Sequence, residues 1–286
     1  MEDKQIAKFI KKAGKKNKVK KRFLFFLCLA AGLMIIALLA PYLVPNDPYE
    51  TNPLVLKAPP CAKYPFGTDK FGRCILSRVL MGAQTSIFCA VLLVLITFLV
   101  GTLLGVLCGY YGGILDALVM RLADILMSLP EMVLAIAVAG VLGGSIVNAM
   151  IALGFAGWTT YARLAKSQVL IRKKEYFISA AKMGGCSDLH IISFHILPNI
   201  IGPLIVNATS KIGTTMIGFA GLSFLGLGVQ VPMAEWGSMI NEARAYLQLT
   251  PWAVLFPGAA IVLTVSVFNL LGDAARDLLD VEGCHE

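Results

Sequence analysis

The chain has 286 residues, of which 57% are hydrophobic and 15% charged, and its formal net charge is +8. Soluble domains are usually about 45–50% apolar and about 25% charged, so this composition indicates a membrane protein. Ten of the 25 Lys and Arg residues lie in residues 1–22, directly before an apolar run. The positive-inside rule explains this placement better than nucleic-acid binding does. The run at 23–44 is also longer than the apolar region of a signal peptide.

Long apolar runs dominate the rest of the sequence. Roughly 20 apolar residues cross a bilayer as a helix. The runs are continuous and do not alternate between polar and apolar residues as the strands of a membrane barrel do. We therefore predict an all-α polytopic membrane protein with about six transmembrane helices. The predicted spans are 23–44, 87–108, 114–140, 146–164, 200–228 and 251–271.

The basic segment 1–22 predicts the side of the membrane on which each connection lies. A cytoplasmic N-terminus makes the first span run from inside to outside, and the later spans alternate. Both termini are then cytoplasmic, and residues 87–271 form the core transmembrane domain. The connections predicted outside are 45–86, 141–145 and 229–250, and those predicted inside are 109–113, 165–199 and the C-terminal segment 272–286.

Two charged residues lie deep within predicted spans. Glu131 directly follows Pro130, and Lys211 lies thirteen residues after Pro198, which is roughly 20 Å into its span at 1.5 Å per residue. Buried charges in membranes pair with one another or line polar paths. Lys211 therefore either pairs with an acid such as Glu131 or meets an anionic group on passing cargo. Glu131 is either structural or faces the same path.

Other charges lie near the predicted cytoplasmic ends of spans. Arg121 and Asp124 are three positions apart and are expected to pair on one helix face. The alternative is that they line a polar path. Arg163 and Lys166 close the fourth span, where their long side chains are expected to reach the membrane interface.

Three glycines share one face of the second span. Gly101, Gly105 and Gly109 follow a repeating small-xxx-small pattern, which lets another helix approach closely. Packing within one subunit is the favoured interpretation, and a dimer face is the alternative.

The sequence contains no pattern typical of catalysis. It has no GxxxxGK[ST] nucleotide loop, no HExxH and no CxxC. His190, His195 and His285 have no metal-site spacing. Cys61 and Cys74 could share an external loop, but sequence gives no geometry for a disulfide. We predict a transport subunit that is not an enzyme, with no metal site, no cofactor and no nucleotide site of its own.

The segment 172–199 is predicted to form a short helix–turn–helix on the cytoplasmic surface. A first helix ends at the pair Gly184-Gly185, and Ser187 is a suitable N-cap for a second helix. Pro198 then ends that helix or opens the next span. The segment either rests on lipid as an amphipathic helix or docks a cytoplasmic partner.

The stretch "AAKMGGCSDLHIISFHILPN" (180–199) resembles the EAA loop of ABC importer permeases. In that family two alanines are followed after three residues by glycine, and a proline comes thirteen residues later. Ala180, Ala181, Gly185 and Pro198 match this spacing. The acid that usually opens the motif is Glu175, one residue too far back. The resemblance implies contact with an ATPase through Glu175, Ala180, Ala181, Gly185, Ile192, His195 and Pro198.

Further stretches are similar to C-type permeases of the peptide/nickel branch. They are 66–86, 222–244 and 268–280, with Cys74 where an aspartate usually stands. The family implies a bacterial plasma-membrane importer that works by ATP-driven alternating access. Its partners would be a second, B-type permease subunit, two cytoplasmic ATPase subunits, an extracytoplasmic substrate-binding protein and the lipid bilayer, but no nucleic acid.

The cargo prediction rests on the stretches "GWTTYARLAKSQV" (157–169) and "AEWGSMINEARAY" (234–246), which resemble nickel-type members. We predict import of nickel or a metal complex. Import of dipeptides or oligopeptides is the first alternative. A membrane carrier or scaffold that works without an ATPase is the second.

Overall fold

The computed structural model describes residues 2–283, with side chains described for 17–279. All regular elements of this part of the chain are helical, which confirms the predicted all-α class. Short 3₁₀ turns lie at Pro53–Val55 and Arg244–Tyr246. The helices are α1 (Glu2–Leu43), α2 (Ile75–Tyr111), α3 (Gly113–Met127), α4 (Glu131–Leu142), α5 (Ile146–Arg172), α6 (Tyr176–Met183), α7 (Asp188–His190), α8 (Leu197–Phe224), α9 (Trp236–Ala243) and α10 (Trp252–Gly283).

Four helices of the described chain are long and apolar enough to cross a membrane, and a bent pair, α3 with α4, would be a fifth. The four are Asn17–Leu43, Ile75–Tyr111, Asp188–Phe224 and Trp252–Leu279. The structure differs from the prediction of six spans at α5, which is not among these candidates. This helix has 27 residues, about 40 Å, but a polar run at 157–161 lowers its apolar content. It packs along α2, α3, α4 and α8.

The predicted third span, 114–140, is not one helix. It is broken at residues 128–130, and α3 and α4 meet at 92°. Pro130 has no N–H to continue the helical hydrogen bonds, and it disfavours helical backbone at the residue before it. The Ser128 hydroxyl donates to the carbonyl of Ile125 at 2.7 Å, closing the end of α3.

Two alternatives were predicted for Pro198: that it ends a second short helix, or that it opens the next span. The structure agrees with the second, because no helix ends at Pro198 and Asp188–Phe224 runs as one helix of 37 residues. A π-helical turn at Ile191–Ile196 joins α7 to α8. Pro198 lies in the first turn of α8, and the wider π-turn accommodates its ring and its missing N–H. Asn199 Nδ2 donates to the carbonyl of His195 at 2.6 Å.

Buried charges join the two long segments that were predicted to be external. Arg73 and Arg78 are almost fully buried. Arg73 Nε bonds Asp69 Oδ2 at 2.6 Å, and its guanidinium also pairs with Glu242 on α9. Arg78 donates to the carbonyl of Pro232 at 3.1 Å. Because these charged side chains are paired inside the protein, α2 can extend beyond the predicted apolar span. It begins at Ile75, twelve residues before that span.

Glu235 fixes α9 against α2. It is fully buried, caps α9 by accepting from the N–H groups of Gly237 and Ser238 at 2.8 and 2.7 Å, and accepts from the Ser86 hydroxyl at 3.2 Å. Burial raises the pKa of the Glu235 carboxyl, although these hydrogen bonds act in the opposite direction. Trp236 Nε1 donates to the carbonyl of Val79 on α2 at 2.9 Å.

The glycine face of α2 packs against α5 of the same chain. A Cβ at Gly101 would lie 2.3 Å from the carbonyl oxygen of Trp158, and one at Gly105 would lie 2.2 Å from that of Ala162. A Cβ at Gly109 would lie 2.9 Å from a Val169 side-chain atom. Any side chain here forces the two helices apart.

We therefore expect Gly105→Ala to destabilise the chain by about 1–3 kcal/mol through overpacking. Gly32→Ala is the matched control, since no atom lies within 4 Å of its added Cβ. Thermal unfolding in detergent measures both variants. Equal midpoints for the two would contradict this packing.

Candidate functional site

Two regions contain the predicted functional residues. The first is the coupling loop, defined as residues 172–199, which contains α6, the turn at 184–187, α7 and the π-turn. The second is a cavity between α2, α4, α5 and α8 that contains Lys211 and Glu131.

The predicted ATPase-contacting residues fall into two environments on the coupling loop. Ala180, Gly185 and Pro198 are exposed. Ile192 is buried and packs with Ile178, so it anchors the loop rather than offering contact surface. The remaining three, Ala181, Glu175 and His195, are partly buried.

Glu175 lies directly before α6 with extended backbone. Its carboxylate is 3.8 Å from the Arg172 guanidinium, and its side chain makes no capping hydrogen bond.

An exposed apolar face on the coupling loop was not predicted from the sequence. Tyr176, Met183, Leu189 and Phe194 are each between 67% and 94% exposed. An exposed cluster of large apolar side chains marks a contact site with protein or membrane. No periodicity reveals this face, because its members come from two helical segments on either side of the turn at 184–187.

Gly185 forms the turn between α6 and α7. Its φ of +78° lies in the left-handed region, which side chains other than glycine adopt only at a cost. The N–H groups of Gly185 and Cys186 donate to the carbonyls of Lys182 and Ala181 at 3.1 Å each. These bonds close α6 as a left-handed C-cap does. Glycine is therefore needed for the backbone conformation and not for space.

Tyr110, at the end of α2, holds the coupling loop and was missed in the sequence. Its hydroxyl donates to the Asp188 carboxylate, and its carbonyl accepts from Lys173 Nζ. The Lys173 and Lys182 ammonium groups lie 5.3 and 5.2 Å from its ring centroid, within cation–π range. Sequence offered no signal for this contact, since Tyr110 is 78 residues from Asp188.

Lys211 and Glu131 meet at the cavity, whose volume is about 340 Å³. Lys211 Nζ lies 2.8 Å from Glu131 Oε2, and the side chains are 23% and 45% exposed. The pair thus both satisfies its charges and faces open space. Glu131 is the first residue of α4, where the helix dipole favours an acid. The lining residues are Leu93, Thr97, Glu131, Met132, Leu153, Gly157, Lys211, Thr214, Thr215, Ile217, Gly218 and Gly221.

The ion pair expected between Arg121 and Asp124 does not form. Asp124 pairs instead with Arg163, and Asp116 Oδ1 lies 2.5 Å from Lys166 Nζ. The reason is that α3 packs along α5, which brings these acids to the basic residues that close the fourth predicted span.

The structure brings one cysteine and two histidines together, which their spacing in the sequence did not predict. Cys61 is exposed, Cys74 is buried, and both are free thiols. Cys186, His190 and His195 in the coupling loop bring their ligand atoms within 4.8 Å of one another.

Comparisons with known proteins identify the class. Residues 101–281 match the family described as binding-protein-dependent transport system inner membrane component, and the chain belongs to this family. It is 42% identical to a dipeptide transport system permease protein of Alkalihalophilus pseudofirmus, covering 94% of this chain and 89% of that protein.

Two relatives in Escherichia coli are similarly close. One is a probable D,D-dipeptide transport system permease protein, 44% identical over 87% of this chain and 83% of that protein. The other is a glutathione transport system permease protein, 45% identical over 87% and 82%. The fold also matches a chain of the inward-facing MetNI methionine ABC transporter, with 17% identity and a TM-score of 0.58, covering 72% of this chain and 97% of that chain.

The prediction of an ABC importer permease is confirmed by these comparisons, and a permease of this family is not itself an enzyme. The nickel-type assignment finds no support among these relatives, whose names specify dipeptide, D,D-dipeptide and glutathione.

We expect Tyr110→Phe to loosen the coupling loop, because the Asp188 carboxylate loses a hydrogen bond worth about 1 kcal/mol. Trypsin cleavage after exposed Lys182 should then accelerate roughly five-fold. Tyr111→Phe, at the exposed neighbouring tyrosine, is the matched control. Identical cleavage rates in the two variants would show that Tyr110 does not hold the loop.

Proposed function

We propose that this chain is one of two permease subunits in an importer that carries dipeptides or oligopeptides across the bacterial plasma membrane. The observation that carries this proposal is the similarity, over 87–94% of the chain, to permeases named for dipeptide and glutathione transport. Peptide cargo was the first alternative to nickel, and it replaces nickel here.

The cavity chemistry supports a peptide. A free peptide carries a carboxylate and an ammonium group, and Lys211 and Glu131 offer the complementary charges. None of the residues that line the cavity is His or Cys. Imidazole and thiolate groups are the ligands expected at a nickel site.

The proposed orientation has both termini and the coupling loop in the cytoplasm. The positive-inside rule supports it through the basic segment 1–22. Two contacts join segments that this orientation places on the same side of the membrane. Arg22 bonds Asp277 near the C-terminal end of α10 at 3.2 Å, and Tyr110 bonds Asp188 in the coupling loop.

The coupling loop is the proposed contact with a cytoplasmic ATPase, through its exposed apolar face and Ala180, Gly185 and Pro198. The helix Asp188–Phe224 contains both the second half of this loop and Lys211, which lies roughly 35 Å along the same helix. Movement of the loop therefore reaches the cavity along one rigid element.

The assembly proposed for this chain contains a second permease subunit, two ATPase subunits and a substrate-binding protein. The family description as binding-protein-dependent supports it. The same description favours an importer over a carrier that works alone. Alternation between inward- and outward-facing states would be a two-state change biased by ATP.

We expect Lys211→Met to lower uptake of a labelled dipeptide at least about tenfold, since loss of a charge interaction of about 1.4 kcal/mol has that effect. Arg163→Met is the matched control, because it removes an exposed ion pair outside the cavity. Uptake is measured in a deletion strain that expresses the chain with its partner subunits.

The same strain separates the cargo alternatives. Radiolabelled nickel uptake should be independent of the chain, while dipeptide uptake depends on it. Chain-dependent nickel uptake without peptide uptake would overturn the peptide proposal. Equal peptide uptake by the Lys211→Met and Arg163→Met variants would show that Lys211 takes no part in transport.

We expect Gly185→Ala to reduce ATP-driven uptake and co-purification of the ATPase several-fold, because a left-handed alanine costs about 1–2 kcal/mol. Gly184→Ala is the adjacent control, since Gly184 has a φ of −75° and its added Cβ meets only ordinary contacts. The coupling role would be refuted by a Gly185→Ala variant that behaves like Gly184→Ala.

A further inference from the structure

The coupling loop holds a cluster of three metal-binding side chains. The ligand atoms of Cys186, His190 and His195 all lie within 4.8 Å of one another. His190 is exposed and the other two are partly buried. The histidine ring centroids are 5.7 Å apart, and the His190 ring stacks on Phe194 with centroids 4.6 Å apart.

The π-turn at Ile191–Ile196 creates this cluster. In an α-helix of 3.6 residues per turn, His190 and His195 would point about 140° apart, since five residues turn about 500°. A π-turn bonds residues that are five apart and brings them to one face, as the bond from Leu197 N–H to the Ile192 carbonyl illustrates. Gly185 then turns the chain so that Cys186 faces the same side.

We propose that Cys186, His190 and His195 bind one zinc-type divalent metal ion. One thiolate and two imidazoles are a ligand set that suits Zn²⁺, and three protein ligands leave a fourth position for water or a partner's side chain. Tetrahedral Zn²⁺ needs its ligand atoms roughly 3.3–3.8 Å apart. Shifts of about 1 Å by these side chains bring their ligand atoms to that spacing.

Metal binding replaces the thiol proton of Cys186, which leaves to solvent. The ion would join the turn at 184–187 to the start of the helix that continues to Lys211. The cluster shares no residue with the cavity lining. The site is therefore separate from this cavity, and the proposal does not rest on the identity of the cargo.

The test is titration of the purified full-length chain in detergent with Co²⁺ and then Zn²⁺. We expect one Co²⁺ per chain, with the near-ultraviolet thiolate-to-cobalt absorption that a cysteine ligand produces, displaced by Zn²⁺. Cys186→Ser should abolish that absorption. His190→Ala should weaken metal binding by at least about tenfold, since even supporting residues around metal sites contribute 10–100-fold.

Controls separate this cluster from other thiols and imidazoles. Cys61→Ser removes an exposed cysteine elsewhere, and the double variant Cys284→Ser, His285→Ala removes the C-terminal pair. Both should bind metal as the unmodified chain does. Unchanged helicity and elution volume of each variant establish that it is folded. The proposal is overturned if folded Cys186→Ser keeps the absorption, or if the C-terminal double variant loses it.

Discussion

The uninterrupted helix from Asp188 to Phe224 is the constraint on which the rest of the molecule depends. A proline ten residues into a helix normally breaks or kinks it, yet the π-turn before Pro198 carries the chain through. The exposed coupling loop and the cavity that contains Lys211 are consequently connected by one element. A hinge at Pro198 would absorb any displacement of the loop before it reached Lys211.

The two ends of the bundle are held together differently. At the end formed by residues 45–74 and α9, Arg73 and Arg78 are buried with Asp69 and Glu242. Buried charges of this kind resist separation, because breaking one pair leaves an unpaired charge without water. At the other end, Tyr110 holds the coupling loop by a few polar contacts while large apolar side chains stay exposed. Residues 45–74 and α9 therefore form a rigid end, and the coupling loop is the end at which we propose that a partner binds.

Sequence patterns predicted what depends on local composition. Apolar runs identified most spans, the glycine spacing on α2 identified a close-packing face, and the motif at 180–199 identified the family. The failures involve contacts between distant residues or small backbone shifts. Nothing in the local sequence says that Asp124 meets Arg163 or that Tyr110 meets Asp188. The break at Pro130 needed only the proline, but the 92° angle and the π-turn depend on the surrounding helices.

The two histidines of the coupling loop are a second case in which a local backbone change was not predictable from the sequence. His190 and His195 were set aside because the histidines show no metal-site spacing along the sequence. Spacing along the sequence does not reveal a π-turn, and the π-turn at Ile191–Ile196 brings these two side chains to one face. The nickel prediction finds no support for a different reason. It relied on similarity in residues 157–169, a segment of α5 that packs against α2 and of which only Gly157 lines the cavity.

The Lys211–Glu131 pair gives the proposed transport function a physical basis. An isolated charge in the membrane interior is costly, so an empty pathway needs its charges paired. A peptide can exchange its own carboxylate and ammonium for the two partners, so that two ion pairs replace one and neither protein charge is left unpaired. Because the exchange first breaks the Lys211–Glu131 pair, the peptide binds weakly. Weak binding suits a pathway that must release the peptide it accepts. A cation alone could satisfy Glu131 only by leaving the Lys211 ammonium unpaired beside it, and this repulsion is the strongest structural argument against bare nickel as the cargo.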